Sequence, residues 1–427
     1  MFGLRVTVQR HVAVQQITLI ERKKKGKSFM EKFIAEAKAL ENELVAWRRH
    51  IHQNPETDMD VQNTAAFVKS KLEEMGYEAS YLAKTGVTAI AGGKKPGKCF
   101  LLRADMDALP IIEETDVEFK STNGSMHACG HDFHTAMLLG AAKLLKAHED
   151  EIDGCVKFMF QPAEESLKGA RAMVEAGILE TPAVDAAAMF HVAAGTPLPT
   201  GFIVVPDGGT FSAASDWFEI NIEGKGGHGA MPEVTVDPLN VMSHIHLALQ
   251  AINSREISAG DSAVVTVGMM TGGTTSNVIP DTAVMQGTIR TFDEEVRKFI
   301  CERIKDISEN IAKTFRARAE VTITVGCPSV VCDGAVANDI RSSLTDVFGM
   351  EVLDLSLLGT QKMNGSEDFS YISQKIPAVM MLLSAGSADD GYDYPLHHPK
   401  AKFDEGALSQ GAAAYAVAAL GWLTKNN

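Results

Sequence analysis

No apolar run in this chain of 427 residues approaches the roughly 20 needed to cross a bilayer. The sequence therefore argues against a membrane helix. Positive charge is also short: 40 Lys and Arg stand against 55 Asp and Glu, a formal net charge of −15. Phosphate recognition needs clustered cations, so the balance excludes a nucleic-acid partner. It fits a soluble protein acting on small molecules. Cysteine is sparse. Cys99, Cys129, Cys155, Cys301, Cys327 and Cys332 are scattered, with no C-x-x-C pair. In a chain this long they read as thiols of a reducing cytoplasm, not as a disulfide framework.

What is present is ordinary globular composition, 45% hydrophobic and 22% charged, at a length that implies two or three domains. Residues 1–29 stand apart. They are rich in Lys and Arg against a single acid, Glu21, and lack a small-residue cleavage site after an apolar core, so they make a poor signal peptide. We expect a non-native or disordered leader, with the native start at Met30. The basic run 22–27 would be encoded by purine-rich codons such as a ribosome-binding site contains. A genuine basic arm is the alternative.

From Met30 the apolar residues Phe33, Ala37, Leu40, Leu44, Trp47 and Ile51 recur at helical spacing. A second helix is predicted over 63–75, stopped by Gly76. Short, nearly continuous apolar runs follow at 87–91, 99–102, 156–160, 186–190 and 379–383, as expected for strands buried on both faces. Helical stretches between them (135–146, 170–175) predict an α/β layer with a mixed, mostly parallel sheet and helices on both faces. The middle differs. Strand 217–222, helix 238–253, strands 263–269 and 283–290, helix 294–315 and strand 320–325 follow the order β-α-β-β-α-β of a small split-βαβ, ferredoxin-like α+β domain. The expected division is a catalytic, metal-binding domain of 30–207 and 327–427, with an inserted domain of 208–326.

Metal-capable residues cluster just after the apolar runs, where open α/β sheets bind ligands. Asp105 and Asp107 follow one run, Glu164 and Glu165 another, and His191 a third; His397 and His398 come later. In the run Met126 to His134, Cys129 and His131 flank Gly130, which lets the backbone turn tightly and aim both side chains at one point. A thiolate and an imidazole suit zinc-like ions. The helix expected from near Asp132 favours a thiolate at its N-terminus. A buried structural thiol is the plainer alternative for Cys129. In Gln161-Pro162-Ala163-Glu164-Glu165, adjacent carboxylates diverge, so one can bind metal while the other serves as general base. A solvated pair at a helix start is the alternative.

The ordered motifs carry a resemblance. Trp47 to Glu56 (WRRHIHQNPE), Arg103 to Pro110 (RADMDALP), the Cys129–His131 run, Gln161–Glu165, Gly226 to Pro232 (GGHGAMP), Ser276 to Pro280 (SNVIP), Gly365 to Phe369 (GSEDF) and His397-His398-Pro399 resemble the metal-dependent aminoacylase and carboxypeptidase family. The nearest subgroup is that of hippurate hydrolases, auxin-conjugate amidohydrolases and N-acetyl-diaminopimelate deacetylases, and the resemblance spans about 44–420. It implies two divalent ions per subunit, zinc or manganese with cobalt or nickel open, held by Cys129, His131, Glu165, His191 and His397, with His398 as the alternative last ligand. It implies Glu164 as general base, Asp107 as a prop behind the metals, and Asn277 and Arg290 near the substrate carboxylate, to which Arg offers a bidentate fork. It also implies that His228 reaches a partner subunit's site, hence a homodimer formed through 208–326. The expected reaction is hydrolysis of an N-acyl amino acid (hippurate-like, N-acetyl-diaminopimelate-like or aminobenzoyl-glutamate-like). A carboxypeptidase or dipeptidase, a thiol enzyme using Cys129, and a catalytically silent binding protein are the rivals. The segment 400–406 is looser than the family's usual one.

Overall fold

The computed structural model of the protein describes residues 29–355 and 362–427. The leader expected over 1–29 lies, but for Phe29, outside the described residues. These divide into two compact units, within the bounds Met1–Gly208, Cys332–Thr360 and Lys375–Asn427 for one, Gly209–Val331 and Gln361–Gln374 for the other.

The first unit is built on an eight-stranded sheet. Its strands in chain order are β1 (Ser80–Leu82), β2 (Gly86–Gly92), β3 (Cys99–Asp105), β4 (Cys155–Gln161), β5 (Ala186–Ala193), β6 (Ile203–Val205), β7 (Val352–Asp354) and β8 (Ala378–Ser384). They lie in the order β1-β2-β4-β3-β5-β8-β6-β7. The central strands β4, β3, β5 and β8 are parallel, while β2 joins β4 and β6 joins β8 antiparallel. Every residue of β3 and β4 is buried, which explains their unbroken apolar character. The short strands β1, β6 and β7 carry too few residues for a periodic signal.

The helices of this unit are α1 (Lys32–Ala39), α2 (Glu41–Gln53), α3 (Gln62–Glu74), α4 (His131–Ala147), α5 (Gly169–Glu175), α6 (Gly334–Phe348) and α7 (Ala407–Asn426). The apolar stripe 33–51 spans two helices rather than one. Leu40 ends α1 by donating to Ala37 O and opens α2 by accepting from the Glu43 and Leu44 amides, yet Phe33, Ala37, Leu44, Trp47 and Ile51 are all buried. Helices α4 and α7 pack on each other and on β3 and β5. A Cβ at Gly140 of α4 would lie 2.6 Å from Leu44 and 2.8 Å from Ala412, so three helices meet there at backbone distance.

The second unit is a four-stranded antiparallel sheet in the order Ala263–Gly272, Thr282–Thr291, Ala214–Glu223, Arg318–Cys327. Helices Pro238–Ala251 and Glu294–Thr314 complete the β-α-β-β-α-β order. Asp237 and Asp293 cap them through their first free amides. Phe218, Ile220, Val241, Ile245, Met285, Ile300 and Ile304 are among its buried core. Gln361–Gln374 clusters with this unit, whereas the sequence-based division leaves 327–427 whole.

Tyr415 of α7 is a buried tie between strands. Its hydroxyl donates to Arg103 O of β3 at 2.8 Å and accepts from Phe190 N of β5 at 3.1 Å. Tyr415→Phe strips a partner from each without changing shape. We expect a loss of about 1–3 kcal/mol, read as a lower denaturant midpoint with an unchanged slope.

Candidate metal centre

Parallel pairing places the C-terminal ends of β3 and β4 side by side, with Asp105 opposite Gln161. The loop after β3 carries Asp107 and the loop after β4 carries Glu164 and Glu165. His191 lies inside β5, opposite Leu382 of β8. The fourth contribution is the turn into α4. Gly130 there has φ +84, and a Cβ would come within 2.4 Å of Val192. Only glycine fits, which is why Cys129 and His131 flank one.

Asp107 joins these loops. Its fully buried carboxylate accepts the backbone amides of Glu164 (3.0 Å) and Glu165 (3.1 Å). Its carbonyl lies 2.8 Å from His131 Nδ1. A carbonyl only accepts, so Nδ1 carries a proton and Nε2 is the nitrogen left to face a metal. His191 is oriented the same way, with Nδ1 2.7 Å from Val192 O and Nε2 3.5 Å from Cys129 Sγ. His397 enters from the loop before α7. Its amide bonds Ala128 O, and its Nε2 lies 3.3 Å from Cys129 Sγ and 3.4 Å from Glu165 Oε1. His398 turns elsewhere: its ring stacks on Tyr394 at 4.4 Å and its Nδ1 accepts the Lys400 amide.

These donors fit a metal by their unspent atoms. His131 Nε2 is buried without a hydrogen-bond partner, a costly state unless something binds it, and the buried Glu165 Oε1 has only the 3.4 Å approach of His397. His131 Nε2 is 3.8 Å from Glu164 Oε2 and 3.9 Å from Glu165 Oε1. Cys129, His131 and His191 converge closely enough to hold an ion, as do Cys129, Glu165 and His397. Asp105, His131 and His134 also converge, but that set is spent. Asp105 engages His134 Nδ1 at 2.6 Å and Arg103 at 2.7 Å, and His134 Nε2 accepts the Val192 amide. Asp105 and His134 thus brace the floor beneath His131. A charged Arg103 inside an apolar strand run, and a second histidine three residues after His131, were the available signals for them.

Electrostatics agree. Burial and Glu165 push the Cys129 thiol up, but His191 and His131 outweigh them and bring it down to about 6. Hydrogen bonds to Cys129 and Glu165 raise His397 to about 10. Asp107 is pushed up by burial, which His131 only partly offsets.

The remaining expected site residues lie in the inserted unit. His228 is exposed on the ribbon Gly227–His228, paired with Val278–Ile279, and its Nδ1 accepts the Ala230 amide. Asn277 is beside it, its carbonyl taking the Gly229 amide. Arg290 lies on another strand, its guanidinium 5.3 Å from the centre of the Trp217 ring.

Residues 101–420 match the model of Peptidase family M20/M25/M40. The chain belongs to this family. It is 40% identical over 376 residues to the N-acetyl-L-cysteine deacetylase of Bacillus subtilis, covering 86% of this chain and 85% of that one. It is 37% identical over 406 residues to thermostable carboxypeptidase 2 of Saccharolobus solfataricus, covering 93% and 99%. A crystal structure described as a dinuclear metal binding peptidase of family M20 from Bacillus subtilis superposes with a TM-score of 0.75 at 35% identity, covering 91% of this chain and all of that one. This M20-family chain is accordingly a hydrolase of amide bonds, with a mixed α/β fold.

A metal held by His397 would displace its proton, which hydrogen bonds to Cys129 and Glu165 keep on the ring up to about pH 10. Affinity should therefore rise with pH up to about 10, and binding at pH 8 should release protons. Calorimetry in two buffers of different ionisation heat measures this. Identical apparent enthalpies would contradict it.

Proposed function

We propose that the protein is a metal-dependent amidohydrolase that releases the amino acid from N-acyl amino acids. The observation that carries this reading is the convergence of Cys129, His131, Glu165, His191 and His397, with His131 Nε2 left without a hydrogen-bond partner, beside the buried carboxylate of Glu164. Those five residues would hold two divalent ions, and His397 is favoured over His398 because its ring faces Cys129. Such ions would acidify a water and polarise the scissile carbonyl. Glu164 takes the water's proton and returns it to the leaving nitrogen. Asp107 fixes the backbone of both glutamates, so their side chains divide the work: Glu165 binds metal and Glu164 moves the proton. The deacetylase relative supports an acyl amino acid as substrate; the carboxypeptidase relative supports a short peptide as the second reading. Six unpaired cysteines and no helix among the described residues long and apolar enough to cross a membrane support a cytoplasmic setting.

The test is a panel of hippurate, N-acetyl-diaminopimelate, aminobenzoyl-glutamate, N-acetylcysteine and dipeptides, with chelator and then with zinc, manganese, cobalt or nickel restored singly. We expect chelator-sensitive release of the free amino acid. Release that survives chelation but not alkylation would replace the metal reading with a thiol mechanism. Glu164→Gln should keep both ions and lower kcat by about 10²–10⁴, measured together with metal content on one preparation.

We further propose that 208–326 forms a homodimer and acts as a lid over bound substrate, with Asn277 and Arg290 reading the carboxylate and His228 serving the partner's site. Sedimentation should give a dimer. Mixing inactive Glu164→Gln with inactive His228→Ala should restore part of the activity, since one site of each mixed dimer would be intact. No recovery on subunit exchange would remove His228 from that role.

A further inference from the structure

The segment 47–56 supplies none of the groups that converge on Cys129, yet two of its polar side chains, Arg48 and His52, are buried. Arg48 is 3% exposed and His52 2%, an expense that ordinary surface helices avoid. The Arg48 guanidinium lies 4.7 Å from the Phe119 ring centre and 4.8 Å from that of Phe133, so its plane is held from two sides. Its Nε donates to Asp132 Oδ2 at 2.7 Å, and its Nη1 donates to Glu405 Oε1 at 3.2 Å. His52, one turn on, reaches the same Asp132 oxygen at 2.8 Å and Glu113 at 3.1 Å. Burial pushes the Asp132 carboxyl up, but Arg48 and His52 outweigh it and hold it well below the usual range.

The two acids that Arg48 grips belong to two different ligand-bearing segments. Asp132 directly follows His131 at the start of α4. Glu405 sits on the loop that runs from His397 to α7, where Arg49 also holds it. We infer that Arg48 is a positioning residue for the metal centre, its fork setting the spacing between the Cys129–His131 turn and the His397 loop. The inference rests on the ligand set proposed above. A lysine would keep the charge but could not hold two acids in one plane. Residues one step behind metal ligands commonly shift metal affinity by about 10–100-fold when removed.

A cavity of about 460 Å³ borders Arg48, His52, Phe119 and Glu405, which gives a small cation access to the space an alanine would leave. The experiment is zinc affinity by competition with a fluorescent chelator, for wild type, Arg48→Ala and Arg48→Lys, with and without methylguanidinium. We expect Arg48→Ala to bind zinc about 10–100-fold more weakly and methylguanidinium to recover part of the loss. Arg48→Lys should also bind more weakly and not respond to methylguanidinium. A folded Arg48→Ala with wild-type zinc affinity would overturn the inference. If Arg48→Ala does not fold, Arg48→Lys decides: wild-type affinity there overturns it. Wild-type protein that binds no zinc would instead overturn the ligand set itself.

Discussion

The candidate metal centre depends on one buried carboxylate, that of Asp107. Asp107 spends both carboxylate oxygens on consecutive backbone amides, those of Glu164 and Glu165, and its carbonyl on His131 Nδ1. Three consequences follow. The β4 loop cannot shift relative to the β3 loop without orphaning a buried charge. The His131 tautomer is set, so Nε2 must face the ligand cluster. Two neighbouring glutamates are fixed at the backbone, so their carboxylates are set apart by side-chain direction alone.

Around that tie, the buried polar groups sort into spent and unspent. Asp105, His134, Arg103 and Gln161 satisfy one another and the backbone. They form a closed network that holds position. His131 Nε2 finds no partner, and Glu165 Oε1 only the distant His397. A folded protein tolerates such orphans rarely, and where they face a thiolate and two further imidazoles a divalent ion is the economical partner. The same accounting separates the convergent cluster that fits metal from the equally compact one that does not. Proximity alone would have treated them alike.

Much of this was legible in the sequence, for identifiable reasons. Parallel strands buried on both faces produce unbroken apolar runs, and the residues that end them sit at the ligand-binding edge by topology; Asp107, Glu164 and Glu165 were found that way. The inserted unit showed through its element order. The Arg48–Asp132–Glu405 bridge was not legible, because 84 residues separate its first pair and 357 its second, and no local periodicity encodes such contacts. His397 and His398 could not be told apart by residue type. Their surroundings differ: His397 takes φ +66 and its Nε2 lies 3.3 Å from Cys129 Sγ, while its neighbour stacks on Tyr394.

That left-handed residue is not isolated. Ala163, beside Glu164, has φ +55, and Gly130, between Cys129 and His131, has φ +84. Each ligand-bearing loop therefore turns through a conformation that costs a non-glycine residue about 1–2 kcal/mol. Such a turn persists only where its surroundings over-determine it. At Ala163 the carbonyl accepts the Lys168 and Gly169 amides, while Asp107 holds the next two residues. At His397 the amide is pinned to Ala128 O, and Arg48 and Arg49 hold Glu405 further along the loop. The acids and arginines behind the centre are thus best understood as what keeps these turns in place. The geometry of these loops therefore rests on contacts made within the folded chain.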